Sequence, residues 1–113
     1  MSVPMTIRPQ AEADIVGIVD GLKAESPKLA QKFVRQLQHS FALLSDFPLM
    51  GALRSYQHPR LQGLRMVPLK QFERYVLFYL PHPHEIQVIR VLHGARDLPS
   101  LFADDAQRIE GEN

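Results

Sequence analysis

The stretch "ERYVLFYLPHPHEIQVIRVLHGARDL", residues 73 to 98, decides the fold. It holds two β-rich runs, 73 to 80 and 85 to 92, joined by the proline-bearing turn "PHPH" at 81 to 84. A link this short makes the two strands antiparallel neighbours. In the first run both alternating sets are apolar. Tyr75, Leu77 and Tyr79 fall on one face and Val76, Phe78 and Leu80 on the other, so this strand is central in a sheet covered on both sides. The second run ends abruptly in His93, Gly94, Ala95, Arg96 and Asp97, with Gly94 free to adopt the dihedral angles of a sharp exit. By alternation His93 shares a face with Ile89 and Val91, and Arg90 shares the other with Val88 and Leu92. A bulge would be needed for His93 and Arg90 to reach one site. Arg90 among apolar neighbours implies a partly wet face or a carboxylate partner such as Glu73.

Upstream, "LRMVPL" (64 to 69) adds a strand, linked to the next by a turn near Lys70 and Gln71. Before it, the segment from Leu49 to Gly63 has no periodicity and reads as a loop. Two helices precede the loop. Ala11, Ile15, Ile18, Val19 and Leu22 form an amphipathic stripe that predicts a first helix over about 9 to 24, with Glu12 and Asp14 near its positive end. Ser26 followed by Pro27 is a helix start, a hydroxyl cap and a proline that sacrifices no hydrogen bond. The second stripe is Ala30, Phe33, Val34, Leu37, Phe41 and Leu44, and it must stop before Pro48. "VPMTIR" (3 to 8) supplies a first strand. The expected order is β-α-α-β-β-β, an α+β fold with a helix hairpin laid on an antiparallel sheet. Residues 1 to 103 form one domain, a short carboxyl-terminal helical turn through Leu101 and Phe102 can follow Leu98, and residues 104 to 113 read as a flexible polar tail.

Size and composition are compatible with this reading. A chain of 113 residues, 45% hydrophobic and 22% charged, supports a single core, because about two-thirds of its unfolded surface leaves water on folding. The absence of cysteine removes disulfides, zinc–thiolate sites and thiol nucleophiles, and fits a reducing, cytoplasmic setting. No run approaches the length of a membrane span, and no apolar leader follows the start. The net charge of +1 hides a division along the chain. Residues 54 to 96 carry seven basic groups against two acidic ones, a balance of +5, whereas residues 97 to 113 carry five acidic groups against one basic, a balance of −4. The basic part suits an acidic partner as well as plain solvent.

The chemistry-bearing groups do not assemble into a known catalytic motif. His82, His84 and Glu85 could ligate a metal, but they sit in a turn without a third spaced ligand, and no cofactor is expected. For RNA cleavage through the 2′-hydroxyl, His93, Arg96, Arg65 and Arg74 supply cations and one titrating group, and a second acid or base is missing. Phosphate-cradling glycine loops, serine triads and dinucleotide fingerprints are absent. A balance of +5 without a placeable recognition helix argues against sequence-specific nucleic-acid binding.

Four segments together resemble ParE-type toxins of the RelE/ParE superfamily, the toxic half of bacterial type II toxin–antitoxin modules. They are "AEADIVGIVDGL" (11 to 22), "FPLMG" (47 to 51), "LQGLRMVPLKQFERYVLFYL" (61 to 80) and "IQVIRVLHGARDL" (86 to 98). The resemblance covers about residues 7 to 102, and "RVLHGARDL" is its most specific element. It implies a cytoplasmic toxin held in a hetero-oligomer by a cognate antitoxin. ParE-branch toxins poison DNA gyrase, whereas RelE-branch relatives cut messenger RNA in the ribosome. The chain departs from the nuclease pattern, since no tyrosine follows Tyr79 and Asp97 and Leu98 follow Arg96. The expectation is therefore gyrase inhibition by protein contact rather than catalysis, with Arg65, Arg74, Arg90, His93 and Arg96 as target-binding groups. An mRNA endonuclease and a non-toxic binding module are the alternatives. For Arg96 and Asp97, a local ion pair pinning the strand exit stands beside target contact.

Overall fold

The computed structural model describes residues 2 to 54 and 59 to 94. Its elements are β1 (Met5–Ile7), α1 (Pro9–Glu25), α2 (Pro27–Asp46), β2 (Ala52–Leu53), a 3₁₀ turn (Pro59–Leu61), β3 (Arg65–Leu69), β4 (Phe72–Pro81) and β5 (Ile86–His93). Proline occupies the first turn of both helices, where its missing N–H costs nothing. Ser26 caps α2 as expected, its hydroxyl accepting from the amide of Leu29 at 3.3 Å. The helix ends at Asp46, two residues before Pro48.

The strands form one five-stranded sheet in the order β1-β5-β4-β3-β2. Two features differ from the expected all-antiparallel sheet. β1 lies parallel to β5, pairing Met5 with Ile86 and Ile7 with Val88, because the helix hairpin carries the chain back across the sheet before the later strands form. Within the expected loop, Ala52 and Leu53 pair with Met66 and Arg65 as a short outer strand. The remaining pairs are antiparallel, with β4 central and flanked by β3 and β5.

β4 divides the apolar residues between two cores, as its alternation requires. Leu77 and Tyr79 face the helices and pack with Ala11, Leu22, Phe33 and Leu44. Val76, Phe78 and Leu80 face away and are covered by Leu61 and Leu64. The sheet is thus buried on both sides, by the hairpin on one and by the segment around the 3₁₀ turn on the other.

β5 breaks the simple alternation. Phe78 faces Arg90 but Tyr79 faces Val88, so Ile89 is an extra residue in a β-bulge. As a result Ile89 joins Leu92 in the far core, and Val88 joins Val91 under the helices, which reverses the expected faces of Val88 and Ile89. A bulge cannot be read from residue type, since isoleucine suits either register.

Candidate functional site

Beyond Ile7 the outer edge of β5 has no strand neighbour among the described residues, and α1 takes that place. Asp14 closes this edge. Its carboxylate accepts from the Val91 amide at 3.1 Å and from Arg90 twice, Nε at 2.6 Å and Nη2 at 2.8 Å. The side chains of Arg90 and Asp14 are only 7% and 12% exposed. The carboxylate partner of Arg90 is therefore Asp14 and not Glu73, which sits five residues along β4 from Arg90's neighbour Phe78 and instead accepts from the amide of Gln71.

Farther along, a groove of about 630 Å³ runs between α1 and the end of β5, lined by Gly17, Ile18, Gly21, Tyr75 and His93 among others. His93 is exposed and stands edge-on to Tyr75, with ring centres 5.0 Å apart. Tyr75 in turn meets Phe33 at 5.4 Å, so a relay of rings connects the exposed imidazole to the core. The Gly94 amide donates to the carbonyl of Arg74, which places exposed Arg74 beside the same exit. Gly94 has φ +68°, the left-handed region expected for this turn.

Arg65 serves a second centre. Its Nη1 donates to the carbonyls of Leu49 (3.1 Å) and Gly51 (2.7 Å). Beside it the fully buried Tyr79 hydroxyl donates to the Pro48 carbonyl at 2.7 Å and accepts from the Gly51 amide at 2.9 Å. Two side chains thus clamp Pro48, Leu49 and Gly51, and the clamped segment and its flanks display Phe47, Leu49, Met50 and Leu53, each about half exposed or more. Exposed apolar groups clustered in this way are a feature of interaction surfaces.

Burial raises the Tyr79 phenol above its ordinary value of 10.0, against the opposing pull of the Gly51 amide and the Arg65 charge. The folded chain therefore keeps this proton to higher pH than the unfolded chain does. Its contribution is complete below about pH 10 and lost as pH rises through the folded value. Tyr79→Phe leaves the buried Gly51 amide and the partly buried Pro48 carbonyl without their partner, at a cost of about 1–3 kcal/mol at neutral pH. In urea titrations from pH 7 to 11, the stability gap between wild type and variant should hold to about pH 10 and shrink above it. A gap that widens would contradict this assignment.

Of the five residues singled out in the sequence, the fold brings Arg74 and His93 to one exit. It commits Arg90 to Asp14 and Arg65 to the clamp, and Arg96, like Asp97 and the carboxyl-terminal segment, lies outside the described residues. Among the described residues no three histidines and carboxylates converge on a metal position. His82 closes the turn into β5 instead, its amide donating to the Glu85 carbonyl at 2.8 Å.

The model of the ParE toxin of the parDE type II toxin–antitoxin system matches residues 5–98, which span every element described above. The chain belongs to the ParE toxin family. No curated protein sequence matches it. Its fold is similar to that of the chromosomal ParDE toxin–antitoxin system of P. aeruginosa, with a TM-score of 0.66, 22% identity, and coverage of 83% of this chain and 98% of that one. It is also similar to a free arginine-to-alanine mutant of the E. coli toxin RelE, with a TM-score of 0.62, 17% identity, and coverage of 96% and 99%. Asp14, Tyr79 and Gly51 were not among the residues singled out from the sequence. Asp14 could have been found there, because it lies three residues after Ala11 and four before Ile18, on the buried stripe of α1.

Proposed function

We propose that this ParE-family toxin inhibits DNA gyrase by protein–protein contact, in the cytoplasm, and is neutralised by a cognate antitoxin in a hetero-oligomer. The observation that carries the reading is the family match over residues 5–98, whose description names a toxin that works within a two-component module. The surface is consistent with docking. Arg74 and His93 stand exposed at the end of the central hairpin, and the clamped segment offers Phe47, Leu49 and Met50 nearer the other end of β4. We assign Arg74, His93 and Arg96 to target contact, and Arg65 and Arg90 to holding the surface in shape.

The antitoxin has a separate seat. On the hairpin, Val19, Pro27, Ala30 and Val34 line an apolar groove of about 440 Å³ rimmed by Lys23 and Arg35. An amphipathic segment with acidic flanks fits it, in the manner of a helix laid in a groove.

Expression of the chain alone should arrest bacterial growth, and the purified protein should block gyrase supercoiling while leaving ribosome-bound messenger intact. Replacing Arg74 and His93 together by alanine should weaken gyrase inhibition at least tenfold, with the melting temperature lowered only by the loss of the His93–Tyr75 ring contact, about 0.5–1.5 kcal/mol. Messenger cuts in the ribosomal A site would replace this reading with the nuclease one. Normal growth with soluble protein present would remove the toxin assignment for this copy.

A further inference from the structure

The segment between α2 and β3 carries a strip of surface that the described residues leave uncovered. Phe47, Leu49, Met50 and Leu53 fall within seven consecutive residues and are 61, 65, 48 and 61% exposed. A large apolar side chain offers on the order of 150–200 Å² to water, so the strip shows on the order of 400 Å² per copy. Its backbone cannot fold over these groups, because the Tyr79 hydroxyl and the Arg65 guanidinium hold Pro48, Leu49 and Gly51 in place. β2 is the outermost strand on its side of the sheet, and the Arg54 amide bonds inward to the Leu64 carbonyl at 2.8 Å. Alternation then turns the Leu53 amide and carbonyl outward, along an edge that no strand covers among the described residues.

Opposite charges bracket the strip. Asp46 ends α2 immediately before Phe47, Arg54 follows Leu53, and both are exposed. Neither side chain has an ion-pair or hydrogen-bond partner among the described residues. The place of Asp46 is unfavourable in an isolated copy. The last turn of a helix concentrates partial negative charge, α2 has no basic residue there, and the carboxylate adds to that charge. A cation brought from outside relieves it.

We infer that this strip is the interface of a homodimer, in which a second copy of the chain lies against the first across a two-fold axis. A two-fold brings the same patch of both copies together and turns one strip end for end against the other. Apolar groups then meet in the middle, and each Asp46 meets Arg54 of the second copy. Parallel alignment would set like charges side by side, so the order of the charges selects the two-fold. The second copy supplies both missing partners from residues the chain already has. Two strips bury on the order of 800 Å² of apolar surface, and the charged rim brings the total to the threshold of about 1,000 Å² for specific association. An interface of this size is weak, with a dissociation constant on the order of 1–100 μM. The inference does not rest on the gyrase reading, whose target contacts are Arg74, His93 and Arg96.

Sedimentation equilibrium of the full chain across the micromolar range should show a reversible monomer–dimer equilibrium that tightens as salt is lowered. Leu49→Glu and Leu53→Glu should each weaken the dimer at least tenfold. Asp46→Arg should weaken it as much, yet raise the melting temperature of the dilute chain, because a cation suits the end of a helix. Arg54→Asp should also weaken it, and Asp46→Arg combined with Arg54→Asp should recover most of the lost affinity. Lys70→Ala, an exposed change outside the strip, should leave association intact. A chain that stays monomeric throughout, a dimer indifferent to both glutamate variants, or a double charge swap as weak as the single ones would overturn the assignment. If the chain is monomeric and Leu49→Glu loses gyrase inhibition, the strip is a target surface instead. Monomers with unchanged inhibition would sink the dimer and leave the gyrase reading standing.

Discussion

Asp14→Ala should unfold with a stability loss of about 3–5 kcal/mol, the range for removing one partner of a buried ion pair. The carboxylate satisfies both nitrogens of the Arg90 fork and the Val91 amide, and the pair is nearly sealed from water. Removing it leaves a buried cation and an open amide at the edge of β5. Arg90→Ala should cost a similar amount for the complementary reason. The double variant Asp14→Leu with Arg90→Met should recover much of the loss, because no unpaired charge then remains. In a domain of this size the single changes should lower the melting temperature by on the order of 10 °C or more. Single-variant losses under 1 kcal/mol would show that solvent reaches the pair freely.

Gly51→Ala should be nearly as damaging, though it adds one methyl group. A Cβ at this position would stand 2.7 Å from the Tyr79 hydroxyl and 2.9 Å from the backbone carbonyl of Met66. Neither neighbour can withdraw, since Tyr79 is wedged in the core and Met66 belongs to β3. The segment from Pro48 to Gly51 must leave its seat, giving up the bonds from Tyr79 and Arg65. The expected cost is about 2–3 kcal/mol, at the upper end for overpacking. Limited proteolysis should then cut within residues 47 to 53, where the wild type resists. A variant with wild-type melting and an intact segment would refute the clamp.

These two sites show where sequence reasoning reached and where it stopped. The hairpin, its helices and the double-sided burial of β4 were legible because each follows from local periodicity, as the split of Leu77 and Tyr79 from Val76 and Phe78 demonstrates. The parallel pairing of β1 was not legible, because a three-residue strand carries no mark of its partner's direction. Nor was the bulge at Ile89, for lack of a glycine or other irregular residue to announce it. The basic groups were recognisable as a set, but their division into anchored and displayed members depends on contacts between positions 76 residues apart, as for Arg90 and Asp14. Of the exposed pair at the strand exit, His93 and Arg74, the sequence provided the identities and only the fold provided the proximity.

The pairing of Met5 with Ile86 means that β1, the first strand among the described residues, waits for β5, the last of them. On a translating ribosome the two helices can form while β5 is still inside the exit tunnel, but the outer half of the sheet cannot close until β5 has emerged. The Asp14 carboxylate meets its guanidinium only at that moment. A sheet assembled this way stays open on the nascent chain, and a stop before position 86 leaves β1 without the strand it pairs with.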